Sequence, residues 1–251
     1  MVTVVISTAN EAQNISACIK SAKLLTADIV VLDMASTDGT PDVARQAGAQ
    51  VISVPVYGYV EPVRRIAIEK AAGPWVCILD ADERMTSELA HEINEIVHQK
   101  TPPFTSYKIP RKNIFGTTWL KHGGWYPDAQ IRLINKPAFI DWPNRIHSTP
   151  NISGSMGQLT HPMLHLFHGN VSQMVQKTTV YEQIESSLLH EAKKKVSTHT
   201  FFRKFFGELF RRLVKFAGWR DGMMGWIESI YQAYSKTITY LYLYEKTYAK
   251  Q

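Results

Sequence analysis

The sequence predicts an α/β fold: a mostly parallel sheet flanked by helices, with a helical extension at the C-terminal end. Three observations carry this. Short apolar runs recur through the first hundred residues, at 2–8, 28–33, 50–56 and 75–80. Segments with helical apolar spacing separate them. From about Val171 onward the sequence again reads as helical to its end.

The elements follow in order. "VTVVIST" (2–8) is a short β-branched strand, and Glu11 to Leu25 has helical spacing with Asn10 as its expected N-cap. "DIVVLD" (28–33) is the second strand, closed by the turn formers of "STDGT". A helix over 41–47 leads to "QVISVPV" (50–56), and another runs from Pro62 to Ala72. "WVCILD" (75–80) is the fourth strand, followed by "TSELAHEINEIVHQ" (86–99) with Thr86 as cap. Continuous apolar strands joined by helices imply a parallel sheet covered on both faces. Beyond Thr101 Pro, Gly and Trp become frequent, and "SYKIP" and "AQIRLI" (129–134) read as an antiparallel extension with long loops. The expected division is residues 1–170, in halves 1–100 and 101–170, then 171–251.

Composition narrows the class. The chain has 251 residues, 45% of them hydrophobic, enough for a sizeable core. Cys18 and Cys77 lie inside apolar segments and read as buried, reduced thiols. The opening "MVTVVISTANEA" has no basic start and a short apolar stretch, unlike a signal peptide. No apolar run approaches the roughly 18–20 residues of a membrane span, so a cytoplasmic location is expected. The net charge is +6, unevenly placed: residues 199–251 carry nine Lys/Arg against four Asp/Glu, and the rest nineteen against eighteen. The basicity belongs to the tail.

Polar residues gather where the strands end, the edge at which open α/β sheets bind ligands. Strand one ends in Ser7-Thr8-Ala9-Asn10-Glu11, strand two in Asp33, strand four in Asp80-Ala81-Asp82. The first turn, "STANEAQN", has no glycine, so neither a dinucleotide loop nor a Walker loop is present to cradle phosphates with backbone amides. A diphosphate bound here needs its charge neutralised another way. Asp-x-Asp offers hard oxygen ligands suited to Mg²⁺ or Mn²⁺.

"ISTANEAQNI", "VVLDMASTDGT" and "WVCILDADE" resemble, in order and spacing, the donor-binding half of family 2 glycosyltransferases with the GT-A fold. "GGWYPDAQIRLINK" (123–136) and "RIHS" (145–148) are similar to the subgroup that includes lipopolysaccharide-core glucosyltransferases. The resemblance spans about residues 1–170, and "GWRDGMMGW" in the tail is similar more loosely. It implies an inverting, metal-dependent transfer of a hexose, glucose foremost, from a nucleoside-diphosphate sugar, UDP foremost, to a glycan or glycolipid hydroxyl. Thr8, Asn10 and Glu11 would border the base and ribose, and Asp33 would hydrogen-bond the base. Asp80 would contact ribose or sugar, Asp82 would ligate the metal, and His147 is a candidate third metal or phosphate contact. Arg64 sits where the family has a donor-contacting Arg, though Arg65 replaces the Asn that follows it there. Ser148 replaces the Glu that follows His147 in the subgroup. Asp128 is the expected base, or alternatively a structural partner of Arg132. Trp125 and Tyr126 offer flat faces to an acceptor pyranose, and Arg132 is expected to face the leaving phosphates. Glu83 reads as a structural acid beside the site, and His161, His165 and His168 as members of a packed strand rather than a metal cluster.

In the tail, "FFRKFFGELFRRLVKFAGW" (201–219) alternates apolar pairs with Arg203-Lys204, Gly207-Glu208, Arg211-Arg212 and Lys215. As one helix it has an apolar and a basic face, suited to an anionic membrane surface at the inner face of a bacterial inner membrane. Packing on the catalytic domain is the simpler alternative. Two rival functions stay open: nucleotidyl transfer, which normally needs a Gly-rich basic loop after strand one, and non-catalytic binding of sugar or membrane. Nucleic acid is not an expected partner, since basic charge alone also fits lipid.

Overall fold

All seven residues of Val2–Thr8 (β1) are buried, which places this strand in the middle of its sheet. Its side chains alternate between two apolar layers, as strand geometry requires. Val4 and Ile6 pack with Ile15, Ile19, Leu89 and Ile93. Val5 packs on the other side with Leu32, Val63 and Ile68. Both faces are therefore covered, as the unbroken apolar strands imply.

The computed structural model describes residues 1–57, 59–144, 148–168 and 171–248. It divides into two compact units, Met1–Arg111 with Asp128–His165, and Lys112–Pro127 with Leu166–Gln251. The units interleave along the sequence, so the segment 112–127 groups with the C-terminal helices.

In the first unit β1 is followed by α1 (Ala12–Ala22), β2 (Ile29–Asp33), α2 (Thr40–Gln46), β3 (Gln50–Ser53), α3 (Glu61–Lys70), β4 (Trp75–Asp80), β5 (Glu83–Arg84) and α4 (Ser87–Val97). Then come β6 (Ser106–Ile109), β7 (Arg111–Phe115), β8 (Thr118–Trp119), β9 (Gln130–Asn135), β10 (Phe139–Asp141), β11 (Asn151–Ile152), β12 (Met156–Gln158) and β13 (Met163–His168), of which β7 runs on into the second unit, as does the end of β13, and β8 lies within it. The main sheet has the order β12-β6-β9-β4-β1-β2-β3. β4, β1, β2 and β3 are parallel, and β9 runs antiparallel to both β4 and β6. The antiparallel extension expected beyond Thr101 is thus built onto the open edge of β4.

Two local expectations change. Asn10 does not cap α1: its backbone is left-handed at φ 53, and its Oδ1 accepts the Thr37 N–H at 2.8 Å instead. The strand expected over 50–56 stops at Ser53, because Pro55 has no N–H to continue the ladder. Thr86 behaves as expected, its side chain accepting the Leu89 N–H. His161 binds Glu92, while Met163 and His165 are buried on β13.

The second unit contains α5 (Val171–Glu191), α6 (Thr198–Leu209) and α7 (Gly222–Tyr248). The single helix expected over 201–219 is broken: a π-type turn spans Phe210–Lys215, Ala217 is left-handed at φ 53, and a 3-10 turn covers Gly218–Asp221. Close packing explains the break and the glycines of "GWRDGMMGW". A Cβ on Gly225 would lie 1.9 Å from the Gly218 carbonyl oxygen, and one on Gly218 would lie 2.8 Å from the Arg212 carbonyl oxygen. Asp221 then ties the turn to the loop before Trp125, accepting the His122 N–H at 2.7 Å and facing His122 Nδ1 at 2.6 Å. No helix among the described residues is long and apolar enough to cross a membrane.

Candidate active site

Register brings the strand ends together. Thr8 of β1 lies opposite Asp33 of β2, and Ser7 lies opposite Asp80 of β4. The loops that follow are stitched to each other: Asn10 N donates to Ser36 Oγ (2.8 Å), Glu11 N to Thr40 Oγ1 (2.9 Å) and Ala12 N to Asp38 Oδ2 (3.0 Å). Glu11 in turn accepts from Asn14 Nδ2 at 2.7 Å. The glycine-free turn is held by side chains of "STDGT", which engage the amides of Asn10, Glu11 and Ala12.

Asp33 is 2% exposed. Its Oδ2 accepts the Ser36 N–H at 3.1 Å, the turn-closing role. Its Oδ1 is buried without a hydrogen-bond partner among the described residues, as are Thr8 Oγ1 and Ser7 Oγ. Each such group costs about 1–3 kcal/mol when left unmade. Three together at the ligand edge of a parallel sheet fit a guest that supplies hydrogen-bonding atoms.

Asp80 is held by two arginines. Arg64, on α3, donates through Nη2 to both carboxylate oxygens at 2.9 Å, while its guanidinium sits 5.4 Å from the Trp142 ring centre. Arg132, on β9, donates to Asp80 Oδ2 at 2.5 Å and to Glu83 Oε1 at 2.6 Å. Burial alone would raise the Asp80 carboxyl; the Arg132 and Arg64 charges overcome this and hold it well below the usual carboxylate range. Arg132 is itself only 2% exposed. Burial would lower its pKa, but Asp80 and Glu83 raise it. The side chain expected to face leaving phosphates is thus an internal counter-ion of two acids. Both bonds use Nη2, and its buried Nε has no hydrogen-bond partner among the described residues.

Asp82 is differently placed. Its side chain is 13% exposed, and His165 Nε2 lies 3.7 Å from its Oδ1. No group of three or more His, Cys, Asp or Glu among the described residues is arranged to hold a metal. A carboxylate with a neighbouring imidazole nevertheless fits Mg²⁺ or Mn²⁺, which bind a diphosphate through one or two protein ligands and keep waters. His147 lies outside the described residues.

Asp128 pairs with Arg111, not with Arg132. Arg111 Nε and Nη2 donate to Asp128 Oδ2 at 3.0 and 2.7 Å, and Gln130 Nε2 donates to Oδ1 at 3.1 Å. Trp125 and Tyr126 belong to the second unit. There Trp125 is packed, with Arg212 4.7 Å from its ring centre and Phe167 at 4.6 Å, so its faces are largely used. Tyr126 is 38% exposed and meets Trp119 edge-on. Sequence reasoning passed over Arg111, which has no motif of its own, and took His165 as core packing. The alternation of "HPMLHLFH" put His165 on an inward face, but what that face meets depends on pairing with a distant segment: His165 lies opposite Glu83.

Comparison with known proteins agrees with this arrangement. The family model for glycosyl transferase family 2 matches residues 3–157. An uncharacterized glycosyltransferase of Rickettsia prowazekii is 30% identical, over 92% of this chain and 82% of its own length. A lipopolysaccharide core biosynthesis glycosyltransferase, LpsC, of Rhizobium meliloti is 25% identical over 94% of this chain and 89% of its own. Among solved structures, mannosyl-3-phosphoglycerate synthase from Rubrobacter xylanophilus shares the fold with a TM-score of 0.50, at 18% identity over 79% of this chain and 76% of that one. A GT-A sheet with acids at three strand ends, matched by the family model over more than half its length, makes this chain a member of glycosyl transferase family 2.

Proposed function

We propose that the protein transfers a hexose from a nucleoside-diphosphate sugar, UDP-glucose foremost, to a hydroxyl of a lipid-linked or cell-envelope glycan, with inversion at the sugar carbon. The observation that carries the donor reading is the buried, unpartnered Oδ1 of Asp33 beside the Thr8 hydroxyl, an acceptor suited to an N–H of a pyrimidine base. Asp80, fixed by Arg64 and Arg132, accepts hydroxyl donors from ribose or sugar. Asp82 is the residue best placed to hold a divalent cation, with His165 beside it, and that cation when bound would supply charge stabilisation to the departing diphosphate. Asp128 is the base in this reading. Arg111 fixes its orientation, and a positioned base contributes about 10²–10⁴ in rate. The 25% identity with a lipopolysaccharide core enzyme supports a cell-envelope acceptor.

Calorimetric titration of UDP-glucose with and without Mn²⁺, on wild type and Asp82→Ala, tests the donor and the cation together. Binding strengthened by Mn²⁺ in the wild type, with the gain lost in Asp82→Ala, is the expected outcome. Equal binding in all four arms removes the cation from the reading. Release of pyrophosphate from a nucleoside triphosphate and a sugar phosphate would point to nucleotidyl transfer instead.

The tail supports a membrane-surface position at the inner face of a bacterial membrane. In the first four apolar pairs the first residue packs inward to some degree (Phe201, Phe205, Leu209, Leu213), while the second stays exposed. Phe202, Phe206, Phe210 and Val214 are 55–61% exposed and four residues apart, with Arg203, Arg211 and Lys215 exposed among them. Each Lys or Arg near an anionic leaflet adds about 1 kcal/mol. Wild type is expected to float with phosphatidylglycerol vesicles, less so in high salt, and a Phe202→Ser/Phe206→Ser/Phe210→Ser variant to stay in the dense fraction. Identical flotation of the two removes this surface from the reading.

A further inference from the structure

Within the first unit, three arginines and three carboxylates alternate in one connected run: Arg64, Asp80, Arg132, Glu83, Arg111, Asp128. Glu83 is its middle link. The side chain is fully buried at 0% exposure, where a carboxylate is tolerated only when its charge and lone pairs are matched. Both oxygens are used. Oε2 accepts the Asp80 N–H at 2.9 Å, and Oε1 faces Arg132 Nη2 at 2.6 Å and Arg111 Nη1 at 3.4 Å. Arg111 spreads its guanidinium between two acids, Nη1 toward Glu83 and Nε with Nη2 on Asp128. A guanidinium is planar and rigid, so fixing one edge sets the direction of the other.

We propose that Glu83 is a positioning residue for the transfer reaction: by anchoring Arg111 on one side, and Arg132 and the Asp80 amide on the other, it fixes the Asp128 carboxylate relative to the donor-contacting acid at the end of β4. This rests on the reading of Asp128 as base and gives Glu83 a task beyond support. The neighbours on β4 and β9 bring Asp80 and Arg132; β7 brings Arg111. Glu83→Gln keeps the size of the side chain, removes the charge, and sets an NH2 against either the two arginines or the Asp80 N–H, none of which offers an acceptor.

Wild type, Glu83→Gln, Arg111→Lys and the double variant are compared by UDP release from UDP-glucose with Mn²⁺, water serving as acceptor, and by calorimetric UDP affinity. Turnover per folded molecule is expected to fall about 10²-fold in each single variant, the scale of an ångström-sized misplacement, with UDP affinity unchanged. The double variant is expected to be no slower than the slower single one, because the two residues act in one chain. Wild-type turnover in folded Glu83→Gln, or losses that multiply in the double variant, overturns the proposal. Arg111 is 17% exposed, so Arg111→Lys carries the kinetic test if Glu83→Gln does not fold. A readout without donor separates the proposal from the reading beneath it. The ¹³C-carboxyl titration of Asp128, identified by its loss in Asp128→Asn, is expected to move to lower pH in Glu83→Gln, and also in Glu83→Ala, because Arg111 then faces Asp128 alone. An unmoved titration overturns the positioning role. Absence of nucleotide-sugar turnover by the wild type overturns the donor reading instead, and leaves the titration to decide Glu83.

Discussion

Asp128→Asn is expected to lower kcat by about 10²–10⁴ while donor affinity stays at the wild-type level. The substitution keeps the shape of the side chain and an oxygen for the Arg111 fork, which now donates to Asp128 Oδ2 at 3.0 and 2.7 Å. What it removes is the charge that, in the proposed reading, takes the acceptor proton. The alternative, a purely structural ion pair, predicts a different pattern: lower thermal stability, with turnover per folded molecule preserved. Stopped-time assays of UDP release, paired with a melting curve on the same preparation, distinguish the two. The left-handed backbone of Asp128, φ 30, sets a further condition. A non-glycine residue held there is strained and persists only where its surroundings over-determine it. Loss of the Arg111 bonds therefore moves the carboxylate and its backbone together, and Arg111→Ala is expected to lose activity even with Asp128 intact.

The second large effect is on stability. Asp80→Asn leaves Arg64 and Arg132 facing a neutral amide whose nitrogen carries only donors. Arg132, 3% exposed at its side chain, would then rely on Glu83 for its whole counter-charge. Breaking a buried ion pair by removing one partner costs about 3–5 kcal/mol. Asp80 is 24% exposed, so the low end, about 3 kcal/mol, is expected, or a fall in Tm of roughly 6–12 °C for a chain of this size. The sign with pH is fixed as well. A carboxyl held below its usual range contributes stability above the unfolded-state pKa, and that contribution fades as pH falls toward the depressed value. The gap between wild type and Asp80→Asn should therefore narrow in acid and stay constant above about pH 5.

Much of this was legible because it depended on local pattern. The four parallel strands announce themselves as apolar runs, and their ends as acids, so Asp33, Asp80 and Asp82 could be named from position alone. What the acids pair with could not. Arg132 is expected from sequence to face the leaving phosphates, yet the pairing of β9 beside β4 sets it against Asp80 and Glu83. Arg111 carries no motif and becomes important only when Asp128 folds back beside it, seventeen residues on. In the tail, periodicity gave a helix but could not reveal that Gly218 and Gly225 approach so closely that the chain must turn at Ala217. Pairing across distant segments is a property of topology, and a one-dimensional pattern is blind to it.

The central claim is that the strand-end edge of β1 and β2 receives the nucleotide. Titration of UDP into Asp33→Ala, alongside its melting curve, tests that most directly. Asp33 Oδ1 is buried and unpartnered among the described residues, so only the loss of the Oδ2 bond from the Ser36 N–H should lower Tm, by a few degrees at most, while UDP affinity falls about 10- to 100-fold, the worth of a hydrogen bond to a charged group. Wild-type UDP affinity in a folded Asp33→Ala protein would contradict the account.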